Sequence, residues 1–277
     1  MPLRKITAGT PPTARHRDRP SSPSSPGSGS SGLQPPAGLE RRATGSSSGQ
    51  AIPAQPRSSS PGSASDSSSL LHRALAEIAL SPEAGQHASS TIAAARSILQ
   101  WMRQNVYTLS NFKSGDKMSL RKNRDEEKAR VTGAREEIQK VRNEADANPS
   151  RRGELALNAK GHNCSELASA TVHIARHLGW EAHVVGNDSH EYAVLGTLPE
   201  GGLPARIADW PAELAICDVY ANVACPPQEY AEHLKAKLER WTGKQKLLHD
   251  GIRWFRPNDP SMMLHDVEHG AREVYDH

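Results

Sequence analysis

All twelve aromatic residues of this 277-residue chain lie after position 100, Trp101 being the first. The front of the chain therefore has little with which to build a core. Residues 1–67 are mostly Ser, Pro, Gly, Ala and Arg. Such a stretch cannot bury enough apolar surface to offset an ordering cost of roughly 1–2 kcal/mol per residue. The expectation is a disordered tail over 1–67, a helical extension over 68–150, and over 151–277 the domain that carries the chemistry. The length suits one substantial domain with added elements.

Charge narrows the choice of partners. The net charge is +3, and in the tail Lys and Arg outnumber Asp and Glu eight to three. The remainder is near neutral, which argues against a nucleic-acid-binding face. Runs such as Arg121-Lys122-Asn123-Arg124 read as solvated surface. The three cysteines, Cys164, Cys217 and Cys225, are odd in number and lack paired spacing. They suggest no disulfide framework and fit a reducing compartment. No apolar run approaches the roughly 18 residues of a membrane span. The expectation is also of no secretory signal and no myristoylation, since Pro2 follows Met1. The acid-poor, Arg- and Ser-rich tail suits an organelle transit peptide or a plain linker.

Periodicity places the elements. Leu70, Leu71, Leu75, Ile78 and Ala79 suit a short amphipathic helix from Ser68. Ile92, Ala95, Leu99, Met102 and Val106 mark a second helix over 90–109. Residues 111–122 read as a loop, and 125–147 as an exposed helix of mixed charge. Asn163 to Leu178 is a helix with a legible start and stop. Asn163 and Glu166 make a capping-box pattern, Leu167, Ala170, Ile174 and Leu178 form its apolar stripe, and Gly179 follows as the C′ residue. Residues 181–185 and 190–198 read as two strands of an antiparallel hairpin, with a turn at 186–189. A third strand is expected over 214–220, a helix from Pro226 to Trp241 with Tyr230, Leu234 and Leu238 on one face, and a final helix over 262–275.

The chemistry is expected at Cys164, the first residue of its helix. Free N–H groups and the positive end of the dipole lie there. Both favour the thiolate, the reactive form of a cysteine, and the same N–H groups suit an oxyanion. A thiol nucleophile needs a base. His162 is too close in sequence, and His173 and His177 lie in the same helix. His190, at the start of the strand after the turn, can project over the helix end; His183 is the reserve. The imidazole needs an orienting partner on its other nitrogen. Asp218, ending the run Leu214-Ala215-Ile216-Cys217, suits that role, and Asp209 is its rival. Asn163, Ser165 and Glu166 are the substrate or oxyanion candidates, with capping a sufficient role for Asn163 and Glu166. Cys217 should face away from Asp218, since strands alternate.

The order of these motifs resembles the papain-like and transglutaminase-like cysteine enzymes. More narrowly, Asn163-Cys164-Ser165-Glu166, His190-Glu191-Tyr192-Ala193-Val194 and Asp218-Val219-Tyr220-Ala221-Asn222 are similar to a pattern in bacterial type III secreted effectors. The last motif departs from it, with Asp-Val-Tyr where the pattern has Asp-Pro-Trp. The resemblance implies an α+β fold in which a helix bearing the cysteine packs on a small antiparallel sheet, with extra N-terminal helices. It implies Cys164 as nucleophile, His190 as base and acid, and Asp218 as orienter, with no cofactor. It also implies that the tail is an uncleaved secretion and translocation region, delivering the protein into a host cytoplasm to meet a host protein substrate.

Three functions follow from one thioester: a protease, a glutamine deamidase, or a transglutaminase if an amine replaces water. A metal module built from Cys164, His190 and Cys217 or Cys225 is disfavoured by their spacing. A non-catalytic helical adaptor is the remaining alternative.

Overall fold

In a computed structural model, the structure describes residues 65–79, 90–110, 112–187, 189–259, 264, 267–268 and 273–275. Most of the tail expected over 1–67 lies outside these; its last three residues already belong to a helix. The fold is α+β, with six helices and two antiparallel sheets among the described residues. The helices are α1 (Ser65–Ala79), α2 (Thr91–Met102), α3 (Arg124–Ala147), α4 (Arg152–Leu157), α5 (Cys164–His177) and α6 (Pro227–Gly243). The strands are β1 (Lys117–Ser119), β2 (Ala182–Asn187), β3 (His190–Leu195), β4 (Ala215–Asp218), β5 (Val223–Cys225), β6 (Lys246–His249), β7 (Trp254–Phe255) and β8 (Glu273–Tyr275).

The larger sheet has the order β5-β4-β3-β2-β8, and the smaller β1-β6-β7. The hairpin read in the sequence forms, with Ala182 opposite Leu195 and Asn187 opposite His190. Helix α5 packs on this hairpin, on β4 and on α4. Its stripe residues Leu167, Ala170 and Ile174 are buried. Helix α2 covers β4 and β5. It starts at Ser90, whose hydroxyl accepts the Ala93 N–H at 3.2 Å, and continues through a π-turn at Arg103–Tyr107. Residues of α1, α2, α5 and the larger sheet share one hydrophobic core.

Local signals explain most boundaries. Helix α5 ends in a Schellman motif: Trp180 N–H donates to Ala175 O and Gly179 N–H to Arg176 O, each at 3.0 Å. Gly179 takes the left-handed conformation at φ +86° that this motif needs. Pro227 opens α6, and Tyr230, Leu234, Leu238 and Trp241 line its buried face.

Several expectations change. The loop expected over 111–122 contains β1. Helix α3 is not exposed all round, because Val131, Ala134 and Ile138 are buried. The strand expected over 214–220 is limited to Ala215–Asp218, with Tyr220 in the turn that follows. The end of the expected final helix is instead strand β8, pairing Val185 with Val274. Three-residue strands are too short to show a period.

Candidate functional site

The approach to α5 is clamped before Cys164 is reached. His162 N–H donates to Lys113 O at 2.6 Å. The His162 ring is fully buried, with Nε2 2.9 Å from Ala156 O. Burial holds its pKa below the usual value, so it stays neutral. A Cβ on Gly161 would lie 2.9 Å from Ala134 O, so only glycine lets α3 pass this close. The capping box of Asn163 and Glu166 forms, Glu166 Oε2 accepting the Asn163 N–H at 3.0 Å. The Asn163 amide oxygen also accepts the Gly115 N–H at 2.9 Å. Cys164 is thus set at the first position of a fixed helix end, half-buried.

Strands β3 and β4 bring up the other two predicted residues. The amide oxygen of Asn187 accepts the N–H groups of Ser189 and His190, both at 3.0 Å, which shapes the turn into β3. His190 and Asp218 are both 1% exposed, and His190 Nε2 lies 2.8 Å from Asp218 Oδ2. Asp218 Oδ2 also accepts the Tyr230 hydroxyl at 2.8 Å, and Oδ1 the Ala221 N–H at 2.8 Å. Burial alone would raise the pKa of Asp218. The imidazole, the N–H and the hydroxyl reverse that, and the carboxyl sits below its usual range. His190 Nδ1 is buried and has no hydrogen-bond partner. The rivals lie elsewhere: Asp209 is exposed, 3.9 Å from Arg206, and His183 sits beside Glu181 at 3.3 Å.

Cys164, His190, Asn163 and Ser165 line one open cleft of about 730 Å³. Asp116, Tyr220, Glu191 and Arg142 line it too, and sequence reasoning singled out none of them. The Asp116 carboxylate accepts the Ser114 hydroxyl and the Tyr220 hydroxyl, the latter at 2.9 Å. Its loop hangs from α3: Arg130 donates to the carbonyls of Phe112 (2.6 Å), Ser114 (2.9 Å) and Lys117 (2.6 Å). Burial raises the pKa of Asp116. Glu191 is also raised, mainly by burial, although the Ser165 hydroxyl hydrogen-bonds to it. The carboxylate rises from β3 over Gly186, where a Cβ would come within 2.6 Å of Glu191 Cγ. Glu166 is buried and ion-paired with Arg142 at 2.8 Å, which fits its capping role and keeps it out of the cleft lining.

These neighbours change the electrostatics expected of a helix-end cysteine. The Cys164 thiol is held well above its ordinary pKa, first by burial, then by the Asp116 and Glu191 carboxylates. The Glu191 N–H pulls the other way and is outweighed. Burial and the two carboxylates both favour the thiol over the thiolate in the resting site.

Cys217 is buried on β4 and its thiol lies 3.4 Å from Ala95 O; Cys225 is buried on β5. Among the described residues, no group of three His, Cys, Asp or Glu side chains is placed to hold a metal ion. No helix of the described residues is long and apolar enough to cross a membrane. Comparison with protein-family models, with curated proteins and with solved structures found no match.

Proposed function

We propose that the protein is a cysteine hydrolase that acts through a thioester on a protein substrate, as a protease or a glutamine deamidase. One observation carries the reading. A buried imidazole lines the same cleft as a helix-end thiol, with one ring nitrogen held by a carboxylate and the other unpartnered.

The chemistry follows from the neutral thiol. As Sγ attacks the carbonyl carbon, His190 Nδ1 takes the thiol proton, and Asp218 stabilises the imidazolium that forms. The first N–H groups of α5 have no intrahelical acceptor and hold the developing oxyanion. Collapse expels the amine, which takes its proton from His190 and leaves a thioester. Water, deprotonated by His190, then attacks the thioester and regenerates the thiol.

Kinship with the papain-like and transglutaminase-like enzymes belongs to the same proposal. So do a type III secreted effector's route and a host protein substrate. The Cys-His-Asp order and the Ser-, Pro- and Arg-rich tail support them. A transglutaminase reaction is the second reading. Two carboxyl groups flanking the thiol, Asp116 and Glu191, suit an incoming amine.

The test is mass spectrometry of target proteins incubated with the wild type and with Cys164→Ala. Glutamine converted to glutamate, new chain termini, or new isopeptide links, each lost in the variant, identify the reaction. A cellular effect retained in full by Cys164→Ala would make the protein an adaptor and end the enzyme reading.

A further inference from the structure

Four cations gather behind the cleft, and among the described residues none of them has an ion-pair partner. Lys117, on β1, is 8% exposed. Its ammonium lies 3.8 Å from the centroid of the Tyr220 ring, 4.1 Å from that of Trp241 and 5.4 Å from that of Tyr107. The Arg103 guanidinium lies over the same Tyr107 ring at 4.1 Å. The Lys237 ammonium is 5.8 Å from the same Trp241 ring. Two rings are therefore each shared by two cations, which ties Arg103, Lys117 and Lys237 into one group. Arg240 stands one turn along α6 from Lys237.

Rings stabilise a cation, but they do not neutralise it. The repulsion within the group leaves a trace: burial, then Arg103, Arg240 and Lys117, bring Lys237 down to about 8. Lys246 is also lowered, by burial and by Lys117. Elsewhere this chain pairs its cations where they crowd, as Arg151 does with Glu144 and Glu154. Here, among the described residues, no carboxylate comes within ion-pair distance, and Asp218 acts on Lys237 only from farther away. Arg103 and Lys237 are half-exposed and Arg240 exposed, so an anion from solvent can reach all three while Lys117 supplies charge from beneath.

We propose that Arg103, Lys237 and Arg240, above the buried Lys117, form a binding site for a phosphate-bearing ligand. A phosphate group matches this donor set, because guanidinium groups bind it through paired N–H donors and an ammonium adds a point charge. The ligand is a free phosphate compound or a lipid headgroup. The site is separate from the cleft yet linked to it. Lys117 follows Asp116 in the chain and stacks on Tyr220, whose hydroxyl holds the Asp116 carboxylate.

The experiment is a thermal-shift titration of the full chain with inorganic pyrophosphate, at an ionic strength kept constant with sodium chloride. Phosphatidylcholine vesicles with and without phosphatidic acid are the second probe, read by co-sedimentation. A saturable response to either probe is expected. Lys237→Gln weakens it about tenfold, whereas Lys237→Arg preserves it, and both half-exposed variants keep the wild-type circular dichroism. A response to pyrophosphate alone identifies a free phosphate compound as the ligand class, and one to phosphatidic acid alone a headgroup. No saturable response to either probe overturns the proposal. So does a response that Lys237→Gln leaves unchanged.

Discussion

One wall of the cleft has Asp218 behind its His190 and the other has Asp116 in its lining, carboxylates of the same type whose environments push them in opposite directions. On one wall Asp218 is buried and falls below its usual range, because an imidazole, an amide N–H and a phenol all meet it. On the other wall Asp116 is half-buried and rises, because two hydroxyl groups and the more distant Lys117 charge do not offset desolvation. Burial alone does not set a carboxylate's charge. What decides is whether the donors facing it outweigh the water it lost. One wall thus supports the positive charge that His190 acquires, and the other opposes negative charge on the thiol.

Removing the first of these carboxylates gives the largest expected effect. Asp218→Asn should lower kcat on the order of 10⁴-fold, because the orienting acceptor of the imidazole is lost. The variant should also change the acid limb of stability. The folded pKa of Asp218 is depressed, so its contribution is full above the unfolded value of about 3.9 and is lost as pH falls through the folded value. Urea unfolding midpoints measured from pH 6 downward should show a shallower acid decline in Asp218→Asn. An identical decline would show that Asp218 does not carry the charge assigned to it.

An intermediate effect is expected at Gly186, on the strand beside His190 and Glu191. Gly186→Val puts a side chain into the space of Glu191 Cγ and the His190 carbonyl, each 2.6 Å from a Cβ built there. The expected cost is about 1–3 kcal/mol of stability, read by urea unfolding, with a loss of activity because the turn into His190 moves.

The smallest effect is on the second wall. Asp116→Asn removes a negative charge beside Cys164. The pH midpoint for alkylation by iodoacetamide should fall by up to about one unit, giving up to about tenfold faster alkylation at neutral pH. Alkylation of the wild type should have its midpoint above that of a free cysteine. A lower wild-type midpoint would mean that the helix end wins over burial and the carboxylates.

The same two walls differ in how well the sequence shows them. Helix α5 announces itself through Asn163, Glu166 and Gly179, each with a backbone group to satisfy. The β2–β3 hairpin shows alternation and a turn, and Asp218 closes an apolar strand. Those signals are local, so the helix start at Cys164 and the strands that carry His190 and Asp218 are legible, and the structure places His190 and Asp218 in contact. The second wall depends on contacts between distant parts of the chain. Strand β1 has three residues and reads as loop until β6 pairs with it. Asp116 looks like an ordinary turn residue until Tyr220 and Cys164 come near. The charge pattern of α3 hid a buried side and the role of Arg130 as a hanger. The surroundings of the thiol are hidden for the same reason: the helix end is visible in sequence, and the carboxylates around it are not.

Strand β1 also sets an order of assembly. Helices α4 and α5 and the β2–β3 hairpin are neighbours along the chain and close over short loops. The pairing of Lys117 with Leu248 waits until most of the chain has been made, and its loop closure is slow. Asp116 therefore reaches the cysteine late. Until that pairing forms, the sulfur lacks one of the carboxylates that raise its pKa. Docking of the second wall thus sets the ionisation of the Cys164 sulfur after the helix that carries it has formed.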